Sequence, residues 1–191
     1  MKKLILASSS PRRAELLKQI GLNFEIMVGN VDETPLPGLS PPDLVEYLAE
    51  KKATAVAVEL NDGIVIAADT VVVWQGQVLG KPRSEDEAFA ILSRLQGSVH
   101  EVFTGVALIN ARSGQVLVGH EKTRVFFRAI GEEEICRYVV SGEPLDKAGA
   151  YGVQGLAAIF IERLEGCYTN VVGLPLTRLS QMLKEFGFNV L

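Results

Sequence analysis

Three cations and one carboxylate of this chain stand where charge is costly. The spacing predicts a helix over residues 11–20 with a buried stripe of Leu16, Leu17 and Ile20. Arg13 stands three, four and seven residues ahead of them, in the centre of that stripe. Arg12 and Arg13 also fall in the first turn, where the helix dipole is already positive. An anion between the arginines and the backbone N–H groups would satisfy both, and Ser8-Ser9-Ser10 adds hydroxyl donors suited to a phosphate. The alternative is that the arginines turn into water or pair with a carboxylate. Lys52 repeats the pattern, at the middle of an apolar arc made by Leu44, Val45, Leu48, Ala49, Ala55 and Val56, with Lys51 at its edge. It either snorkels past the core or serves a cavity.

Asp69 is the acidic counterpart. It interrupts the apolar run from Ile64 to Val73, which reads as a strand covered on both faces. An ionised carboxylate there costs on the order of several kcal/mol unless paired, hydrogen-bonded or metal-bound. A structural ion pair, with Lys81 as candidate partner, and a general-base or metal-ligand role both account for it. Glu33, beside Asp32 in a proline-rich loop, is either a second oxygen ligand or a solvated acid. Cations at Arg12, Arg13, Lys52, Lys81 and Lys147 facing Asp69 and Glu33 meet the needs of phosphoanhydride chemistry: positive charge for a polyphosphate, and carboxylates for Mg2+ and a water.

The elements that must position these groups follow from punctuation and periodicity. A strand at 4–7 leads through the serines into the first helix, with Ser10 as N-cap, Pro11 at its first position and Gly21 after its end. A strand is expected at 24–28, and a proline-rich loop over 30–42 is the best candidate for a break. Ser40 and Pro41 then open a helix to about residue 59. A strand at 64–73 ends in a Gln75-Gly76 turn, and Ser84 with Glu87 caps a helix ending near Gly97. Residues 99–111 and 115–129 read as a long hairpin, 132–140 as a helix and 142–155 as a glycine-rich loop. Residues 157–164 and 167–172 read as a second hairpin, and 175–186 as a terminal helix. Alternating strands and helices followed by hairpins argue for an α/β or α+β fold with a mixed sheet.

With 19 Lys and Arg against 23 Asp and Glu, the formal charge of −4 argues against a polymeric nucleic-acid partner. Cys136 and Cys167 are too few for a four-ligand zinc cage and suggest no disulfide framework, which fits a reducing cytoplasmic location. The apolar run after Lys2 and Lys3 is too short for a secretory signal, so the mature chain is expected to begin near Met1. No stretch reaches the roughly 18 apolar residues of a membrane span. The loop over 142–155 has neither Walker nor dinucleotide-binding spacing. His100 and His120 lie in predicted strands and read as packing or surface residues.

The blocks LASSSPRR (6–13), EKKA (50–53), AADTVV (68–73), GKP (80–82) and GEPLDKAGAYGVQG (142–155) closely resemble the Maf family, in the family's order and over residues 4–186. The resemblance implies one domain over residues 1–191 with an ITPase-like (Maf/Ham1) α/β fold. That fold has an elongated, twisted mixed sheet with flanking helices and two lobes around a deep cleft. It also implies a nucleoside triphosphate pyrophosphatase dependent on a divalent metal, Mg2+ or Mn2+, that cleans nucleotide pools and has an associated link to septum formation.

By position, Asp69 matches the proton acceptor that activates water and a metal ligand, and Glu33 a further acidic site residue and metal ligand. Ser8, Arg12, Arg13, Lys52 and Lys81 match residues that contact phosphates or shape the catalytic site. Arg12, Thr70 and Gln154 together resemble the branch acting on dTTP and UTP, modified pyrimidine nucleotides among its candidate substrates. The branch acting on 7-methyl-GTP carries a glutamate in place of Gln154. A homodimer is compatible with the resemblance. A nucleotide-sensing regulator of cell division without turnover is the competing reading, and metal-dependent release of pyrophosphate separates the two.

Overall fold

The computed structural model describes residues 3–34, 36 and 38–191. Pro35 and Pro37 of the proline-rich loop lie outside the described residues, as do Met1 and Lys2. The strands are β1 (Leu4–Leu6), β2 (Glu25–Ile26), β3 (Ile64–Trp74), β4 (Gln77–Leu79), β5 (Val99–Asn110), β6 (Val116–Phe127) and β7 (Ile161–Glu165). The helices are α1 (Pro11–Gln19), α2 (Pro41–Ala57), α3 (Glu85–Leu95), α4 (Glu132–Val140), α5 (Tyr168–Val172) and α6 (Leu176–Glu185). All seven strands form one sheet in the order β2-β1-β3-β5-β6-β7, with β4 paired to β3. The pairs β1–β2 and β1–β3 are parallel, whereas β3–β4 and β6–β7 are antiparallel. The expected mixed α/β architecture is therefore the observed one. Among the described residues, no helix is long and apolar enough to cross a membrane.

Two compact units divide the chain. The first comprises Met1–Asp69, Thr104–Glu121 and Gly173–Leu191. Its core packs the small residues Ala49, Ala53 and Ala57 of α2 against Ile5, Val65, Ala67, Ala107 and Ile109 of the sheet. The second comprises Thr70–Phe103 and Lys122–Val172, with a core of α3 and α4 residues (Ala88, Leu92, Leu95, Ile135, Tyr138) packed with Val102, Val125, Phe127 and Phe160. The first boundary along the chain falls inside β3, between Asp69 and Thr70.

Element starts follow local chemistry. Ser40 and Ser84 cap α2 and α3 by accepting the N–H of Asp43 at 3.4 Å and of Glu87 at 3.2 Å. Ser10 occupies the N-cap of α1 without a side-chain capping bond.

The second expected hairpin is half wrong. Residues 161–165 form β7, but it pairs with β6, and the second arm is the helix α5 instead of a strand. The cause is tertiary. Cys167 N–H donates to Thr123 Oγ1 at 3.0 Å, and the fully buried Asn170 amide donates to Val102 O at 3.0 Å and Thr123 Oγ1 at 2.9 Å. A helical turn delivers that amide inward, overriding the β-propensity of Thr169, Val171 and Val172. The stretch 156–160, expected as strand from residue 157, is a 3-10 turn. The hairpin β3–β4 was not foreseen beyond its turn, where Gln75 and Gly76 both take positive φ.

His100 packs inside the second unit. Its Nε2 lies 2.7 Å from Tyr151 Oη, and its ring stands edge-on to Phe127 and Tyr151. Burial pushes its pKa down to about 3. Because the folded value lies below the unfolded one, stability from a neutral His100 is complete above the unfolded pKa of about 6.5. It is lost as pH falls toward 3, at up to roughly 1.4 kcal/mol per unit. Urea midpoints should therefore fall more steeply between about pH 7 and pH 4 in the parent protein than in His100→Gln. Parallel curves would rule out this origin of acid sensitivity.

Candidate active site

Strand β1 sits between β2 and β3, both parallel to it, so the chain leaves β1 toward one side and returns on the other. The carboxyl end of such a strand is where open α/β sheets bind ligands, because the diverging connections leave a crevice there. The segment at that end of β1 is Ser8-Ser9-Ser10, followed by α1. Leu6 pairs with Ile66 of β3, and three residues further along β3 comes Asp69.

The first unit gathers the predicted charges around Asp69. Asp69 is buried, with 8% of its surface exposed, and its Oδ1 accepts from Lys52 Nζ at 2.6 Å. The same ammonium donates to Glu33 Oε2 at 2.8 Å. The side chains of Lys52 and Asp69 are 14% and 11% exposed, whereas Glu33 is 62% exposed. Lys52 therefore neither snorkels to water nor packs as a core stem. It joins a carboxylate on a buried strand to one on a loop. The observed ion-pair partner of Asp69 is Lys52; the partner expected from sequence was Lys81.

Arg13 is tied down as well. Its Nη1 donates to Ser8 Oγ at 3.1 Å and its Nε to the Gly173 carbonyl at 2.8 Å. Ser8 Oγ also accepts the Ser10 N–H at 3.2 Å, which shapes the serine turn. Burial holds the Arg13 pKa below the ordinary arginine value against the pull of Asp69; Arg12 adds to the lowering and Glu33 opposes it. Ser8, Arg12, Arg13, Glu33, Lys52 and Asp69 thus share one electrostatic neighbourhood. Lys51, left unassigned by the sequence, anchors the same loop by donating to the Asp32 carbonyl at 2.8 Å. Its adjacency to Lys52 in EKKA was the available signal: two neighbouring lysines holding neighbouring loop residues.

The second unit holds Thr70, Lys81 and Gln154. Thr70 is partly exposed on β3, and Lys81 and Gln154 are exposed. The glycine-rich loop contacts the supports of the other two residues through Gly149. Its N–H donates to Gly80 O at 3.0 Å, and a Cβ placed on it would meet Val72 Cγ2 at 2.8 Å. Its φ of +70° requires glycine independently. Two 3-10 turns, Glu143–Asp146 and Ala148–Ala150, occupy the stretch expected as loop.

Residues 3–186 match the family described as Maf-like protein. The chain belongs to the Maf family. The dTTP/UTP pyrophosphatase of Pelotomaculum thermopropionicum is 62% identical over 191 residues, covering all of both chains. That of Desulforamulus reducens is 53% identical over 190 residues, again covering both. Among solved structures, a HAM1 protein from Coxiella burnetii superposes with a TM-score of 0.53 at 18% identity, covering 97% of this Maf-family chain and all of that one. The Staphylococcus aureus Ham1 protein gives the same TM-score and identity. At that identity the likeness shows a shared fold, the Ham1-like fold expected from the resemblance.

His100 is enclosed by aromatics, and His120 Nδ1 lies 2.6 Å from Glu46 Oε1 on the first unit.

Proposed function

We propose that the protein hydrolyses dTTP and UTP to the monophosphate and pyrophosphate. The observation that carries this reading is one ammonium, Lys52, bridging the buried Asp69 and the loop carboxylate Glu33 beside Arg12 and Arg13. The names of the full-length relatives support the substrates.

Oxygen donors from Asp69 and Glu33 fit a hard divalent cation, Mg2+ or Mn2+. Magnesium usually takes only one or two protein carboxylates and completes its shell with substrate phosphates and water. Among the described residues, no group of three or more His, Cys, Asp or Glu could hold a metal ion. When bound by Asp69 and Glu33, such a cation neutralises phosphate charge and acidifies a water.

Asp69 accepts the proton of the water that attacks the α-phosphorus. Lys52 fixes the orientation of both carboxylates. Ser8 and the paired arginines hold the triphosphate, and the desolvated Arg13 stabilises the charge gathering on the departing pyrophosphate. Lys81 serves catalysis from the GKP block, and Thr70 and Gln154 discriminate the base.

The Gln154 assignment predicts that Gln154→Glu reorders kcat/KM among dTTP, UTP and 7-methyl-GTP, lowering the two pyrimidine substrates on the order of tenfold or more. An unchanged ranking in steady-state assays would remove Gln154 from substrate selection. The overall activity is tested by incubating a panel of nucleoside triphosphates with Mg2+ or Mn2+ and scoring monophosphate and pyrophosphate.

A further inference from the structure

The glycine-rich loop that carries Gln154 is closed by a single carboxylate. Glu143 Oε1 accepts the hydroxyl of Tyr138, on α4, at 3.0 Å, and Glu143 Oε2 accepts the backbone N–H of Leu156 at 2.9 Å. Leu156 lies 13 residues further along the chain and two residues past Gln154, so one side chain ties the end of the loop to its beginning and to a helix. The glycines are shaped for this contact. A Cβ on Gly155 would lie 2.2 Å from Glu143 Oε1, and one on Gly152 would lie 2.7 Å from Lys147 Cε. Lys147 in turn donates to the Glu143 carbonyl at 2.7 Å. Tyr138 is itself buried and packs edge-on against Phe160 at 5.2 Å between centroids. Burial and the neighbouring Glu143 carboxylate both push its phenol pKa up, so it remains a donor at neutral pH. Gln154 projects from the loop as an exposed residue one position before the glycine against which the carboxylate packs.

An exposed glutamine in the segment between Gly152 and Gly155 has many accessible backbone conformations, and base discrimination by a hydrogen-bonding side chain requires one of them. We propose that Glu143 is a positioning residue for substrate selection, holding the Leu156 end of the loop so that Gln154 is presented in the orientation that reads the pyrimidine. The proposal rests on the assignment of Gln154 to base discrimination made above.

The test compares kcat/KM for dTTP with that for 7-methyl-GTP in four variants, each checked for its melting temperature. Gln154→Ala sets the full loss of discrimination. Glu143→Ala should approach it, with KM for dTTP rising several-fold and kcat falling less. The double variant Glu143→Ala/Gln154→Ala should lose no more discrimination than Gln154→Ala alone. Glu143→Gln, which can accept from Leu156 N–H through its amide oxygen, should restore most of the ratio.

If Glu143→Ala does not fold, Tyr138→Phe removes one of the two bonds at nearly constant volume and should shift the ratio in the same direction. A lower melting temperature with an unchanged dTTP/7-methyl-GTP ratio in the Glu143 or Tyr138 variants, while Gln154→Ala does change it, would overturn the positioning role. An unchanged ratio in Gln154→Ala would instead remove the reading on which it rests, and the proposal with it.

Discussion

Asp69→Asn is expected to lower turnover of dTTP and UTP by about 10²–10⁴-fold, the usual contribution of a positioned general base. Nucleotide binding should stay within a few-fold of the parent. The substitution is nearly isosteric, and the amide oxygen can still accept from Lys52, which is 2.6 Å from the present carboxylate. The fold therefore has no cavity or lost hydrogen bond to absorb. What disappears is a group able to take a proton and a negative charge beside Lys52. Pyrophosphate release measures the first effect, and calorimetric titration with a non-hydrolysable triphosphate measures the second. Loss of binding in parallel with turnover would point to loss of a cation ligand or of the Lys52–Asp69 pair instead of loss of the base; full turnover would remove Asp69 from the chemistry.

The second large effect is on stability. Gly105 lies in β5 where α2 crosses it, and a Cβ added there would sit 2.2 Å from Val45 O and 2.7 Å from Glu46 N. Those are backbone atoms of a helix, so no rotamer change relieves the overlap. Gly105→Ala must push α2 away from the sheet, and α2 carries both Lys51 and Lys52. Overpacking usually costs 1–3 kcal/mol, and a backbone–backbone overlap belongs at the upper end, about 3 kcal/mol. For a chain of this length that lowers the melting temperature by roughly 6–12 °C. Activity below the melting point should fall as well, because the Lys52 bridge moves with α2. Gly131→Ala is the control: a Cβ there meets nothing within 4 Å, and its cost should stay below about 1 kcal/mol. Similar melting temperatures for the two variants would refute close packing of α2 on β5.

Much of the first unit's chemistry was legible because charge violates periodicity. Lys52 on an apolar helix face and Asp69 in an apolar strand are each anomalous alone, and the structure resolves both anomalies in one ion pair. Arg13 was legible as misplaced, but its actual tether was not. The Gly173 carbonyl lies 160 residues away, and no local pattern announces a backbone acceptor.

The second unit was harder to read for the same reason. Residues 167–172 have strand-like composition, yet 168–172 are helical and tied inward by the buried hydrogen bonds of Asn170 to Val102 and Thr123. Glu143, whose carboxylate ties the glycine-rich loop to Tyr138 and to the Leu156 N–H, carries no distinguishing signal in the sequence. Its significance lies in the backbone N–H of Leu156 and in glycines that leave room for it, which spacing alone does not reveal.

The most direct measurement of the central claim is the fate of oxygen during dTTP hydrolysis in oxygen-18-labelled water. Attack of an Asp69-activated water on the α-phosphorus predicts label in the thymidine monophosphate and none in the pyrophosphate. Label in the pyrophosphate, or dTDP and orthophosphate as products, would contradict it.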